Sequence, residues 1–174
     1  MVYNLSRVLF FVSIGKDVMD KDLNSVRRKR WDQAFGSNTD QEEPQKTKID
    51  RKATIVIEHL IQSADIAHTM QHWHIYKKWN EKLFIEMYEA FVSGRTDKDP
   101  ASFWYQGELG FFDHYVIPLS KKLDSCGVFG ITSSEYLSYA ERNRQEWADR
   151  GKEIVEEYLE AAKRSAAKRA NPKH

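Results

Sequence analysis

Apolar residues recur along this chain mostly at three- and four-residue steps, the spacing of helices with one buried side. The clearest case is Asp50 to Ala67, where Ile55, Ile57, Leu60, Ile61 and Ala64 form a wide apolar stripe. A stripe of that width predicts a central helix rather than a surface one. Asp50 suits its N-cap, since a short carboxylate accepts from the first unpaired backbone N–H groups. A long amphipathic helix follows from His74 to Gly94, with Trp79, Leu83, Met87 and Phe91 along the expected core side and Gly94 as its stop. Pro100, Ala101 and Ser102 open the next helix. The stretch from Ser102 to Leu123 is apolar and aromatic, with a kink expected at Pro118 and room for a close neighbour at Gly107 and Gly110. After the breakers Gly127 and Gly130, Ser133 and Ser134 begin a last long helix whose apolar spacing runs through Tyr136, Leu137, Ala140 and Trp147. Its end, YLEAAKRSAAKRANPKH, is a helix former with little left to bury and is expected to fray.

Upstream, residues 1–35 read as helix. Val8–Ile14 is an apolar run to be buried, too short to cross a membrane, and Val18, Leu23, Val26 and Trp31 resume a helical spacing. Residues 36–49, GSNTDQEEPQKTKI, read as a loop. The chain therefore divides into a helical segment 1–35, a loop 36–49, the main body 50–150 and a helical tail 151–174. The fold class is all-α, a helical bundle.

Composition narrows the function classes. The 174 residues suffice for one domain with a sizeable core, 41% are hydrophobic and 30% charged, and the formal net charge is +1. No excess of positive charge points to nucleic acid. The run Arg27-Arg28-Lys29-Arg30 reads as the solvated end of a helix, since no second basic cluster accompanies it. A single cysteine, Cys126, precludes an internal disulfide and suits a reducing, cytoplasmic setting.

The candidate chemistry lies in Ala64–Leu83, ADIAHTMQHWHIYKKWNEKL. Asp65 ends the apolar helix, and a carboxylate there either pairs, binds a cation or faces water. Tyr76, Trp79 and Leu83 share one side of a helix. An acid at the head of an aromatic wall suits a pocket. His68, His72 and His74 follow Asp65, with Asp65 and His68 at an i, i+3 spacing, but no second copy of such a carboxylate–histidine pair appears and one cysteine cannot build a closed zinc site. No Gly-rich phosphate loop, Ser-His-Asp pattern or CxxC pair occurs.

These residues carry a resemblance. ADIAHTM, QHWHI and YKKW are similar, in order and without a gap, to the run A-D-[IL]-S-N-P-T, spacer, Y-R-x-W of class I 3′,5′-cyclic nucleotide phosphodiesterases. Glu108–Leu119, ELGFFDHYVIPL, resembles that family's Q-V-G-F-I-D-x-I-V-x-P-L. Asn143, Arg144 and Trp147 resemble its closing N-R-x-x-[WY], and Lys16-Asp17-Val18 its T-D-M. The resemblance covers most of residues 15–150. It implies the C-terminal part of an all-α, HD-type catalytic domain that hydrolyses cAMP or cGMP to the 5′-monophosphate with two divalent ions, zinc and magnesium. By the same resemblance Asp65 matches a metal ligand and Phe111 the ring that stacks on the purine. Tyr76, Trp79, Leu83, Ile66 and His68 match pocket positions, His68 standing where the family has Asn.

Two departures qualify what the resemblance implies. The family's H-N-x-x-H and H-D-x-x-H, which carry the general acid and most metal ligands, are absent. No catalytic residue is therefore expected in this chain, and the N-terminal half of the domain is a missing partner. Glu108 stands where the family has the nucleotide-binding glutamine. Ionised glutamate only accepts hydrogen bonds, which suits the adjacent N–H donors of guanine and predicts a preference for cGMP, whereas a Glu108 kept protonated by burial against Phe111 would act much like glutamine. Two other functions stay open: a non-catalytic helical module that binds nucleotide or a partner, and a structural bundle with a coincidental likeness.

Overall fold

A computed structural model describes residues 21–36, 44–127 and 129–170. The apolar run at Val8–Ile14 and the Lys16-Asp17-Val18 match lie outside the described residues. The elements are α1 (Lys21–Phe35), α2 (Gln45–Asp65), a 3₁₀ turn (Ala67–Met70), α3 (Trp73–Val92), a 3₁₀ turn (Pro100–Ser102), α4 (Trp104–Phe111), a π-helical turn (Phe112–Val116), α5 (Ile117–Cys126), a 3₁₀ turn (Gly130–Thr132) and α6 (Ser133–Ala170). No strand occurs among the described residues, in line with the all-α expectation.

The centre of the bundle is α6. Its 38 residues pack against α3, α4, α5 and the turn at Ala67–Met70. The inward side of α6 carries Ala140, Asn143, Trp147, Ile154, Tyr158 and Ala162, all buried. This corrects the reading of the tail as idle. Tyr158 and Ala162 are core residues, and the Tyr158 hydroxyl donates to the Lys77 carbonyl at 3.0 Å. Farther on, Ser165 Oγ donates to Glu89 Oε1 at 3.1 Å and Arg169 Nη1 to Glu89 Oε2 at 2.6 Å. The segment looked spare because its partners sit on α3.

Close packing along α6 depends on Gly151. A Cβ built there would lie 2.6 Å from Tyr105 Cδ2 and 2.7 Å from Trp147 Cε3. Gly107 and Gly110, by contrast, admit no close neighbour, so the crossing point of α4 and α6 is set from the other helix. Gly151→Ala gains about 1 kcal/mol of helix propensity. Forcing a methyl against a buried indole costs about 1–3 kcal/mol. The expected outcome is a lower thermal midpoint; a higher one would mean that the two rings yield freely.

Two other expectations are corrected. The helix assigned to Asp50 begins at Gln45, so residues 45–49 are helical and Asp50 is not its cap. Pro44 stands at the N-cap with φ −54° and ψ 137°, and its carbonyl accepts from Lys48 N at 3.2 Å. This helix is also peripheral. Ile55, His59 and Ser63 face inward, whereas Ile57 and Ile61 are 55% and 62% exposed. α2 packs on α1 and α5, with Trp31 of α1 5.2 Å from His59 and Lys122 of α5 over the Trp31 ring at 5.4 Å.

Pro118 shapes its surroundings as a local widening. It lies in the first turn of α5, and just upstream the helix opens into the π turn Phe112–Val116, where Ile117 N donates to the Phe112 carbonyl. A residue without an N–H leaves a carbonyl one turn back without its helical donor, and a wider turn accommodates the loss. Across the outside of this turn, Arg144 of α6 grips Asp113 through two bonds of 2.9 Å. Those bonds hold the Asp113 carboxyl below the usual range.

Candidate functional site

α3 and α4 bring two of the expected residues into direct contact. Tyr76, fully buried on α3, donates its hydroxyl hydrogen to Glu108 Oε2 of α4 at 2.5 Å. Asn80, one turn on, donates from Nδ2 to Glu108 Oε1 at 2.7 Å. The Asn80 amide is itself oriented, because Trp104 Nε1 donates to its Oδ1 at 3.0 Å. The Tyr76 hydroxyl is likewise oriented, because Trp147 Nε1 of α6 donates to it at 2.7 Å. Asn80 Nδ2 also lies 3.2 Å from that hydroxyl.

Each carboxylate oxygen of Glu108 therefore has one fixed donor and one remaining lone pair. Burial pushes the Glu108 carboxyl above the ordinary range, and the bonds from Tyr76 and Asn80 pull it back. The Tyr76 phenol is raised well above its usual value, first by burial and then by Glu108, so it stays a donor. Among the described residues no buried side-chain nitrogen or oxygen lacks a partner.

The other expected residues surround this pair unevenly. His68, from the turn after α2, stacks on Tyr76 with centroids 6.2 Å apart and planes 15° apart, and burial lowers its pKa. Ile66 is buried in the same core. Phe111 follows Glu108 by one turn, is buried, and stacks on Tyr115 at 5.6 Å. Leu83 is partly buried against the core. Trp79 departs from the shared wall: it is 41% exposed, with Lys82 Nζ over its ring at 4.8 Å. The inward face of α3 is Tyr76, Asn80, Phe84 and Ala90, so the expected Trp79–Phe91 core stripe is rotated. Tyr76 and Trp79 lie a sixth of a turn apart, enough to put one inside and the other at the rim.

Asp65 is the last residue of α2 and is exposed. Among the described residues no group of three or more His, Cys, Asp and Glu side chains comes together to hold a metal. The turn after Asp65 is anchored instead by Asn143, whose Nδ2 donates to the carbonyls of Thr69 at 2.9 Å and Gln71 at 2.8 Å.

Three site residues escaped sequence reasoning: Asn80, Trp104 and the indole N–H of Trp147. Asn80 had a signal, a polar residue one turn from Tyr76 on the face that proves apolar. The indoles had none, because their partners lie on other helices.

The family model for 3′,5′-cyclic nucleotide phosphodiesterase matches residues 19–127. No curated protein and no solved structure matches the chain. The matched span holds α3, α4 and the Tyr76–Glu108 contact, while the indole of Trp147 enters from α6, beyond it. It covers more than half of the chain, which thus belongs to the 3′,5′-cyclic nucleotide phosphodiesterase family.

Proposed function

We propose that this chain is the nucleotide-recognising part of a phosphodiesterase that hydrolyses 3′,5′-cyclic nucleotides, with cGMP favoured over cAMP. The observation that supports the reading is that both oxygens of Glu108, the residue matched by resemblance to the family's nucleotide-binding glutamine, are held by donors. Its two remaining lone pairs suit the N1–H and 2-amino groups of guanine. Adenine presents one donor beside an acceptor, which a carboxylate repels. A hydrogen bond to a charged group contributes about 1.5–3 kcal/mol, so the preference is on the order of ten- to a hundredfold. Phe111 stacks on the purine. Tyr76 acts from inside the core by aiming Glu108, while Ile66, His68, Trp79 and Leu83 border the pocket.

Divalent ions such as the zinc and magnesium of the family would, when bound, supply water activation and offset the phosphoryl charge. The described residues do not fit such a pair, since Asp65 belongs to no cluster that could hold an ion. No step of the reaction is assigned to this chain; by resemblance Asp65 would add one ligand to a site whose other ligands and general acid belong to the family's H-N-x-x-H and H-D-x-x-H motifs. The exposed Ile57 and Ile61, on the helix that ends at Asp65, support a covering polypeptide there. The same surface favours a second reading, a non-catalytic module that binds nucleotide and regulates a partner. A cytoplasmic setting accords with the single cysteine. No helix among the described residues is long and apolar enough to cross a membrane.

Equilibrium dialysis of residues 1–174 against labelled cGMP and cAMP, with hydrolysis followed in zinc and magnesium, tests the reading. The expected outcome is cGMP retention at least tenfold stronger than cAMP, roughly one charged hydrogen bond, with no turnover above background. Retention of neither nucleotide would sink it. Metal-dependent turnover by this chain alone would overturn the assignment of the chemistry to another half.

A further inference from the structure

We infer that the outer face of α2 is a homodimer interface, on which a second copy of this chain lays its own α2 antiparallel. The buried side of this helix carries Ile55, His59 and Ser63. On the other side Ile49, Ala53, Ile57 and Ile61 follow at four-residue steps, each step turning about 40° around the axis. They form one continuous ridge. Its three isoleucines are each more than half exposed, and Ala53 is exposed between them. Three of the six large hydrophobic residues exposed among the described residues thus fall on a single row, which is a patch rather than scatter. The contacts from α1 fall elsewhere on the helix: Trp31 lies against His59, and Arg30 pairs with Glu58 at 3.0 Å.

The row is its own complement. About a two-fold axis at the level of Ile55, antiparallel pairing sets Ile49 against Ile61 of the second copy and Ala53 against Ile57, so that a small residue receives a large one. Ridges at four-residue spacing interdigitate in the commonest class of helix packing. A two-fold contact of this kind closes on itself and stops at a dimer. Charge fixes the direction. Lys46 stands beside the N-terminal end of the row, and Asp65, one step beyond Ile61, ends it. Antiparallel pairing brings Lys46 of each copy to Asp65 of the other, whereas parallel pairing sets like charges together. Antiparallel helices also place opposite ends of their dipoles side by side. One helix face gives each partner less than the about 800 Å² of a stable interface, so the dimer is a reversible one. The inference names an occupant for the surface at Ile57 and Ile61 and is independent of the nucleotide reading.

Four proteins test the inference: residues 1–174 unsubstituted, Ile57→Lys, Lys46→Glu, and the exchange Lys46→Glu with Asp65→Lys. Each is followed by sedimentation equilibrium at low salt from about 1 to 200 µM, with circular dichroism as the check on folding. Ile57 is exposed, so its replacement leaves the core intact. Glutamate in the first turn of α2 and lysine in the last both suit the helix dipole, so the charge variants keep the fold. The expected outcome for the unsubstituted chain is a monomer–dimer equilibrium. Ile57→Lys is expected to raise its dissociation constant about tenfold or more, since a charge then faces an apolar ridge in both copies. Lys46→Glu is expected to weaken the dimer, and the exchange to restore it. A monomer at every concentration overturns the inference and leaves the face to a different polypeptide. A dimer untouched by Ile57→Lys uses another surface and overturns it equally. An exchange that fails to recover what Lys46→Glu loses refutes the antiparallel pairing, and the inference with it. Mass is read without nucleotide, so these outcomes leave the nucleotide reading where it stands.

Discussion

Trp147→Ala is expected to cost about 3–5 kcal/mol of folding free energy, the range for truncating a buried tryptophan. The whole stability of a domain this size is about 5–15 kcal/mol. Trp147 is fully buried, packs edge-on to Trp73 at 6.1 Å and to Tyr158 at 6.4 Å, and donates to the Tyr76 hydroxyl. Its loss opens a cavity at the centre of α6 and releases the hydroxyl that holds Glu108. Urea unfolding measures the effect, and Trp147→Phe divides it. The phenyl ring restores most of the packing and leaves the missing N–H, worth about 1 kcal/mol. A midpoint for Trp147→Ala close to that of the unsubstituted chain would contradict the placement of α6 at the core.

Asn143→Ala has the second large effect. The Asn143 side chain is 1% exposed, and its one NH₂ serves the carbonyls of both Thr69 and Gln71. Removing it costs about 1–3 kcal/mol at the buried Thr69 carbonyl, and less at the Gln71 carbonyl, which is only partly buried. Asn143→Asp keeps the volume but sets acceptors against acceptors, and is expected to destabilise at least as much. Arg144→Ala, next in sequence, breaks only the partly exposed pair with Asp113 and should cost about 0–1 kcal/mol. Thermal unfolding of the three variants checks the order. If Arg144→Ala proves the most damaging, the asparagine is not what ties α6 to the turn carrying His68.

The family resemblance was legible because its residues are contiguous. ADIAHTM and ELGFFDHYVIPL each lie within one short stretch, and each proves to span a helix end or a helical distortion. The N-R pair was legible as a pattern, but its physical sense was not. Asn143 holds a backbone turn more than 70 residues upstream, whereas Arg144 holds Asp113 at the π turn. The apolar stripe of α2 was read too generously, since composition shows how much of a helix could be buried but not whether a neighbour arrives to bury it. Ile55 has its neighbours in α1 and α5, and Ile57, on the opposite side, is left exposed.

By itself the sequence determined the helical class, the order of the main helices and the motifs that place the chain in its family. Each of these is a local property, written in three- and four-residue spacing or in a contiguous run of side chains. Tertiary structure alone decided that α6 is the centre, that Tyr76 turns inward while Trp79 does not, and that Glu108 is held by an amide and a phenol. A buried polar group is stable only with partners of the right donor sense. Here Glu108 is met by Tyr76 and Asn80 of α3, themselves held by Trp104 of α4 and Trp147 of α6, helices that come together only when the chain folds.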